Sequence, residues 1–553
     1  MLMLTVSKHT SISGNHHEPF QGCRGAFICL SSTKDGMRSA TIGTLMNVRL
    51  MGARATLGLL LLGVPTAVAA ETSAADLLAK HKAYVGWESG DGSIKTIRKS
   101  IQIHDPSADN GDTDVVLEVI RRGLLFKQMR RLSGGKIEYQ DGYTGRVFWG
   151  ADLNGDLVTK KNGTAQLELA QTIVEDEGVT VVGGKLNGSA KIDGIDTSIV
   201  RVTPGDAAPF DVYIDPATGA FKRVVYFPDD KYERQTEEIA SYTDVGNGKK
   251  IVGAYKDGPK RLIAVDHIRV NEPVTDAELH PPPKLTSWTF ASSDPIPVEE
   301  ILYSINGLEN YGRAISVRVS IDGHEGRFLL DSGAPDTLVV GAFAATIDSP
   351  TIASTAYRTV GFPTQRAELK LVKEIKIGQN ILHNVRVKVA PSPPFGPFDG
   401  IIGFAILADA IVDVDLNNKT LRILDPAKFD ATVAKGAYAF DVDLSSFHAA
   451  VPALIDGRVK AEPFIDTGNY YGVVLAGALY DNNEVRAVPG SGPLGFPRIN
   501  EIQVGPYRYQ SVPTRFMSGF GHRGGLLGYD FLKHFNWTFD LPNSKIVLTP
   551  NGR

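Results

Sequence analysis

Cysteine is almost missing from this sequence: there are two in 553 residues, Cys23 and Cys29. So few exclude a disulfide-built scaffold. Long apolar runs are also scarce. The one candidate, Ala55 to Ala70, is too short for a comfortable bilayer span. Charge of one sign is not in excess, with a formal net of -4, which argues against a general nucleic-acid binder. No His-Glu-x-x-His zinc motif and no Gly-x-Ser-x-Gly elbow occurs, and Gly183-Gly184-Lys185 lacks the spacing and hydroxyl of a P-loop. The 42% hydrophobic content excludes a disordered chain. What is plentiful is turn chemistry. With 57 Gly and 31 Pro, the composition favours many turns and mostly β structure.

The apolar run has the surroundings of a secretory signal peptide. Arg49 and Arg54 precede its core, and the small-residue pattern Ala67-Val68-Ala69 closes it. Residues 46–70 are read as the signal, with Met46 as the true start and 1–45 as a non-native extension. Both cysteines then leave with the leader, and so do six basic and two acidic residues. The mature chain keeps 52 basic and 60 acidic residues, a net of -8. It offers no thiol nucleophile. It is expected to be exported, periplasmic or secreted, with no transmembrane segment and no nucleic-acid partner.

Ser73 to Val85 spaces Leu77, Leu78, His81, Tyr84 and Val85 as one face of a helix, with Ser73 as N-cap. Short alternating runs follow, at Asp114 to Ile120, Lys136 to Tyr139, Phe210 to Ile214 and Arg223 to Phe227. Asp141-Gly142 and Asn154-Gly155 are hairpin-type dipeptides. Asp152, Asn154 and Asp156 echo a calcium loop, but its Gly and closing Glu are missing, which favours a plain hairpin turn. Residues 71–280 are expected to form an antiparallel sheet with helices. His280-Pro281-Pro282-Pro283 and Asp294-Pro295-Ile296-Pro297 then mark a linker at 281–298.

Beyond the linker the sequence repeats its landmarks in order. Ile321-Asp322-Gly323 leads to Asp331-Ser332-Gly333, and Ile455-Asp456-Gly457 leads to Asp466-Thr467-Gly468. Gly-Phe-Pro follows at Gly361 and Gly495, then Glu374 to Gly378 and Glu501 to Gly505. Gly400-Ile401-Ile402-Gly403-Phe404 matches Gly525-Leu526-Leu527-Gly528-Tyr529, and 12 residues after Gly403 and Gly528 come Asp415 and Asp540, read as turn residues. These landmarks imply an internal duplication, with lobes at 299–435 and 436–553. Each copy puts one carboxylate on a turn after an apolar strand. Gly permits the tight backbone, and the Ser or Thr hydroxyl can bond across to the other lobe.

On these motifs, residues 300–553 resemble the pepsin and retropepsin-like aspartic peptidases, with both half-sites in one chain. The resemblance implies two β lobes meeting at a cleft and an endopeptidase acting on peptide or protein substrates. It implies Asp331 and Asp466 as the catalytic pair and Ser332, Gly333, Ala334, Thr467, Gly468 and Asn469 as loop support. Ile401, Ile402, Gly403, Leu526, Leu527 and Gly528 would pack behind the loops. Direct attack by water needs no metal and no cofactor. Ala334 offers no side-chain hydrogen bond to its carboxylate, so a less acidic optimum than pepsin's is expected. Asn469 is unusual for the family and opens a second reading, a catalytically degenerate periplasmic peptide- or lipid-binding protein. Hairpins at Tyr357 to Pro363 and Gly490 to Pro497 are candidate flaps.

Residues 71–280 are similar to lipoprotein-carrier (LolA-like) proteins. This rests on Tyr139-Gln140-Asp141-Gly142, Arg146-Val147-Phe148-Trp149 and Tyr213-Ile214-Asp215-Pro216-Ala217-Thr218-Gly219. The resemblance implies a curved antiparallel sheet able to hold an apolar or lipid ligand. The whole is expected to be mostly β, with this sheet followed by a bilobal pseudo-two-fold β fold.

Overall fold

The structure is a computed structural model. It describes residues 72–552 apart from 105–115, 229–233, 259–260, 306–307, 358–364, 391–396, 430–435, 471, 491–494, 518–519 and 521–523. The extension, the signal and both cysteines lie outside the described residues, as do 358–363 and 491–494 of the candidate flaps. Residues Thr72–Arg553 fall within one compact unit. Among the described residues, no helix is long and apolar enough to cross a membrane.

The fold is mostly β. Among the described residues, thirteen strands between Ile97 and Val270 form one antiparallel sheet, in which the first, Ile97–His104, pairs with the last, Arg261–Val270. A helix over Ala74–Val85 packs on it. Ser73 caps that helix through a reciprocal capping box with Asp76, and Gly86 ends it in the left-handed region at φ 78°. Leu77, Leu78 and Val85 are buried, each worth about 1.5–3 kcal/mol over exposure. The turn Asp215 to Gly219 presses against the same helix. Gly219 has φ 83°, and a Cβ there would meet the Lys80 carbonyl oxygen at 2.5 Å, so only glycine suits both the turn and the contact.

Asp141-Gly142 departs from the sequence expectation, because it lies inside the strand Ile137–Tyr143 and not in a turn. Gly142 is there for close approach. A Cβ would meet the Trp149 ring at 2.5 Å and the Phe126 carbonyl at 2.7 Å. The chain turns later, at Gly145, where φ is 88°. Asn154-Gly155 does make a turn. Asp152 Oδ1 accepts from the backbone N–H of Asn154 and Asp156 at 2.8 Å each, joining the paired strands Phe148–Ala151 and Leu157–Lys160.

Within the Pro-rich stretch, Ser287–Thr289 pairs with the strand Asn380–Ala390, and a long strand begins at Ile296. From there a 14-stranded sheet runs through residues 287–424 and returns to the C-terminal strands. Ile411–Asp415 pairs antiparallel with Phe535–Asp540, register Val412 to Phe539, so the two halves share one sheet. Among the described residues, six further strands between Ala453 and Leu527 close into a barrel. One hydrophobic core joins Phe328, Ile402 and Val412 to Ile465, Leu527 and Phe539.

Candidate active site

Each Asp loop follows a buried strand and is braced by a parallel neighbour. Phe328, Leu329 and Leu330 pair in parallel with Gly400, Ile401 and Ile402. Phe464 and Ile465 pair in the same way with Leu526 and Leu527. Asp331 N–H then donates to the Ile402 carbonyl at 3.0 Å, and Asp466 N–H to the Leu527 carbonyl at 3.0 Å. Beyond each glycine the loop closes alike: Phe404 N–H reaches the Ala334 carbonyl at 2.7 Å, and Tyr529 N–H the Asn469 carbonyl at 2.6 Å. Gly403 permits this packing, since a Cβ would lie 2.3 Å from the Asp336 carbonyl oxygen.

The loops bond to each other through hydroxyls. Thr467 Oγ1 accepts from Ser332 N–H at 3.0 Å and donates to the Leu330 carbonyl at 2.7 Å. Ser332 Oγ accepts from Thr467 N–H at 3.2 Å and donates to the Ile465 carbonyl at 2.8 Å. Both side chains are buried, so each hydroxyl satisfies one donor and one acceptor that water does not reach.

The carboxylates meet at this junction, Asp331 set against Gly468 and Asp466 against Gly333. Asp331 Oδ1 accepts from Gly333 N–H at 2.9 Å. Asp466 Oδ1 accepts from Gly468 N–H at 3.1 Å and from Asn469 N–H at 3.0 Å. Burial raises the pKa of both. Asp466 goes well above the usual carboxylate range, because burial and then the facing Asp331 charge both oppose its ionisation. The backbone amide at the position after each glycine serves the carboxylate, at Ala334 as at Asn469. The side chain that differs between the two positions is not what makes this contact.

Two features here carried no sequence signal. His448 lies against the first loop from the other half, with Nε2 3.1 Å from the Gly333 carbonyl and Nδ1 2.7 Å from the Ser446 carbonyl. Burial lowers its pKa. Asp336, five residues past Asp331, bonds to Tyr139 of the N-terminal sheet, whose Oη donates to Oδ2 at 2.6 Å. Among the described residues, no cluster of His, Cys, Asp and Glu could hold a metal ion.

A family model described as aspartyl protease matches residues 317–406, which span Asp331 and the Gly400–Gly403 segment. No curated protein matches. A solved domain described as an outer membrane lipoprotein-sorting protein, from Vibrio parahaemolyticus, is similar at 8% identity and a TM-score of 0.27. The match covers 37% of this chain and 95% of that one.

Proposed function

We propose that this chain is an exported aspartic endopeptidase with two half-sites fused in one polypeptide, Asp331 and Asp466 being the catalytic pair. The observation that carries the reading is the reciprocal bonding of the two loops, Ser332 to Thr467 and Thr467 to Ser332, which sets one buried carboxylate against the other. The aspartyl protease match over 317–406 supports it for the first loop. The signal-like residues 46–70 support export to the periplasm or medium.

The chemistry follows from the proton shared by the pair. Two carboxylates in contact do not both ionise cheaply. Burial raises the pKa of both, so the pair holds one proton between them, one acid protonated and the other ionised. The ionised acid of the pair draws a proton from a water held between them. That water attacks the scissile carbonyl carbon while the protonated acid donates to the carbonyl oxygen. The tetrahedral product then collapses, and the amine leaves with a proton returned through the pair. Ser332 and Thr467 hold the geometry and exchange no proton.

A peptide-library digest across pH 3 to 8 tests this. Asp331→Asn and Asp466→Asn should each lower cleavage by at least about a thousandfold with far-UV circular dichroism unchanged. Full activity in either variant sinks the assignment.

Asn469 favours a second reading, a binding protein without cleavage, in which the N-terminal sheet holds an apolar or lipid ligand. Lipid retained by the purified protein, with no library cleavage at any pH, would decide for it.

A further inference from the structure

The N-terminal sheet touches the Asp331 loop through charge. Asp336 Oδ2 accepts from Tyr139 Oη at 2.6 Å and lies 2.8 Å from Lys388 Nζ. Lys388 Nζ is also 2.8 Å from Glu138 Oε1, which accepts from Thr355 Oγ1 at 2.6 Å. Arg130 Nε lies 3.1 Å from Glu138 Oε2. Two carboxylates and two cations alternate, Arg130, Glu138, Lys388 and Asp336. Arg130, Glu138 and Tyr139 come from the sheet. Lys388, Asp336 and Thr355 come from the half that carries Asp331. Glu138 is 0%, Lys388 5% and Asp336 7% exposed. The opposing charges hold Glu138 ionised against its burial and raise the Lys388 pKa.

A buried balanced set of this kind is costly to open, because removing one partner leaves a charge uncompensated away from water. Its surroundings extend the contact on both sides. Leu132 and Leu153 of the sheet pack with Ala353 and Leu369, and Ser133 Oγ accepts from Ser354 N–H at 2.8 Å. The Tyr139 ring sits 6.2 Å from that of Phe447, the neighbour of His448, which itself bonds to Gly333. The sheet therefore reaches the Asp331 loop from two directions, at Asp336 directly and at Gly333 through the 447–448 segment.

We propose that the N-terminal sheet is a built-in clamp on the Asp331 loop, with Tyr139 a positioning residue that acts through the Asp336 carboxylate and Glu138 the residue that holds Lys388 beside it. A sheet joined to the lobes only by a tether would leave these four charges facing water. The kinetic part of the proposal rests on the peptidase reading, and the exchange part does not.

Tyr139→Phe removes one hydroxyl and keeps the ring, so it is the variant least disturbing to the fold; Glu138→Gln is its companion. Both are made in the full chain. Amide hydrogen exchange is followed in peptides spanning 332–338, with the strand Lys545–Pro550 as reference. The clamp predicts exchange at 332–338 faster by about tenfold in Tyr139→Phe, as expected for loss of one hydrogen bond to a charged group, with the reference strand unchanged. It also predicts a fall in kcat of similar size with KM within about twofold, since a displaced loop misplaces the reacting carboxylate. Unchanged exchange at 332–338, or an equal rise in the reference strand, overturns the clamp. Faster loop exchange with kcat unaltered overturns the positioning role of Tyr139. If the parent protein cleaves nothing while exchange responds as expected, the peptidase reading fails and the clamp stands.

Discussion

Gly468 faces Asp331 so closely that a Cβ on the glycine would lie 2.3 Å from the carboxylate carbon, and Gly333 stands in the same relation to Asp466 at 2.4 Å. Neither glycine has a positive φ. What each provides is room for the opposite carboxylate. Gly468→Ala should therefore separate the acids without straining the backbone. It should cost about 1–3 kcal/mol of stability, as overpacking does, and remove nearly all cleavage. Urea unfolding and a library digest of the one variant check both. An alanine variant with parental activity would show that the carboxylates need not be this close.

Thr467 tests the brace between loops. Thr467→Val keeps shape and loses the hydroxyl, leaving the Ser332 N–H and the Leu330 carbonyl buried without it. Each orphaned group costs about 1–3 kcal/mol, so the midpoint of urea unfolding should drop clearly. Thr467→Ser restores the hydroxyl and should restore most of the stability. If the valine and serine variants unfold alike, the hydroxyl is not what holds the loops.

The pair also sets a pH profile. On the peptidase reading activity needs one proton on the two acids, so it falls on the acid side when the pair takes a second proton and on the alkaline side when it loses its last one. Burial raises both pKa values, that of Asp466 well above the carboxylate range. The alkaline limb of kcat/KM should thus lie above the ordinary carboxylate range, and the maximum well above pH 2. A maximum near pH 2 that is already declining by pH 4 would contradict the raised carboxylate pKa values.

Away from the site, Glu237 gives a stability test. It is buried in the N-terminal sheet, accepting from Gln171 Nε2 at 2.8 Å and Tyr226 Oη at 2.9 Å. Burial, with the Glu175 charge adding to it, pushes its pKa up to about 8. A raised folded value means that its contribution is full below the unfolded value, roughly 4.3, and is lost as pH rises through about 8. Glu237→Gln removes that loss. Between pH 5 and 9 the variant should gain on the parent, by on the order of 4 kcal/mol in urea unfolding. Parallel stability curves would mean that Glu237 does not titrate in this range.

The two Asp loops were legible in the sequence because each sits at the same place in an ordered set of landmarks, and local chemistry sufficed: an apolar strand, an acid, a hydroxyl, a glycine. The first helix was legible for the same reason, with its cap and one apolar face within a single segment. Asp141-Gly142 was not, because a dipeptide does not say whether its glycine serves a positive φ or a close neighbour, and here Trp149 decides. The Tyr139 to Asp336 bond was not legible either. The partners are 197 positions apart, and a tyrosine in a strand reads as core until the opposing surface is known. His448 was invisible because its partners are backbone carbonyls, which leave no side-chain signature.

The strand Ile411–Asp415 lies against Phe535–Asp540 of the same polypeptide. A site built from two separate copies would assemble by a second-order encounter and fall apart on dilution. Here the meeting of the two acids is unimolecular, and the shared sheet fixes their effective concentration irrespective of how much protein is present. Assembly of the pair becomes indifferent to abundance, and dilution does not separate the two acids.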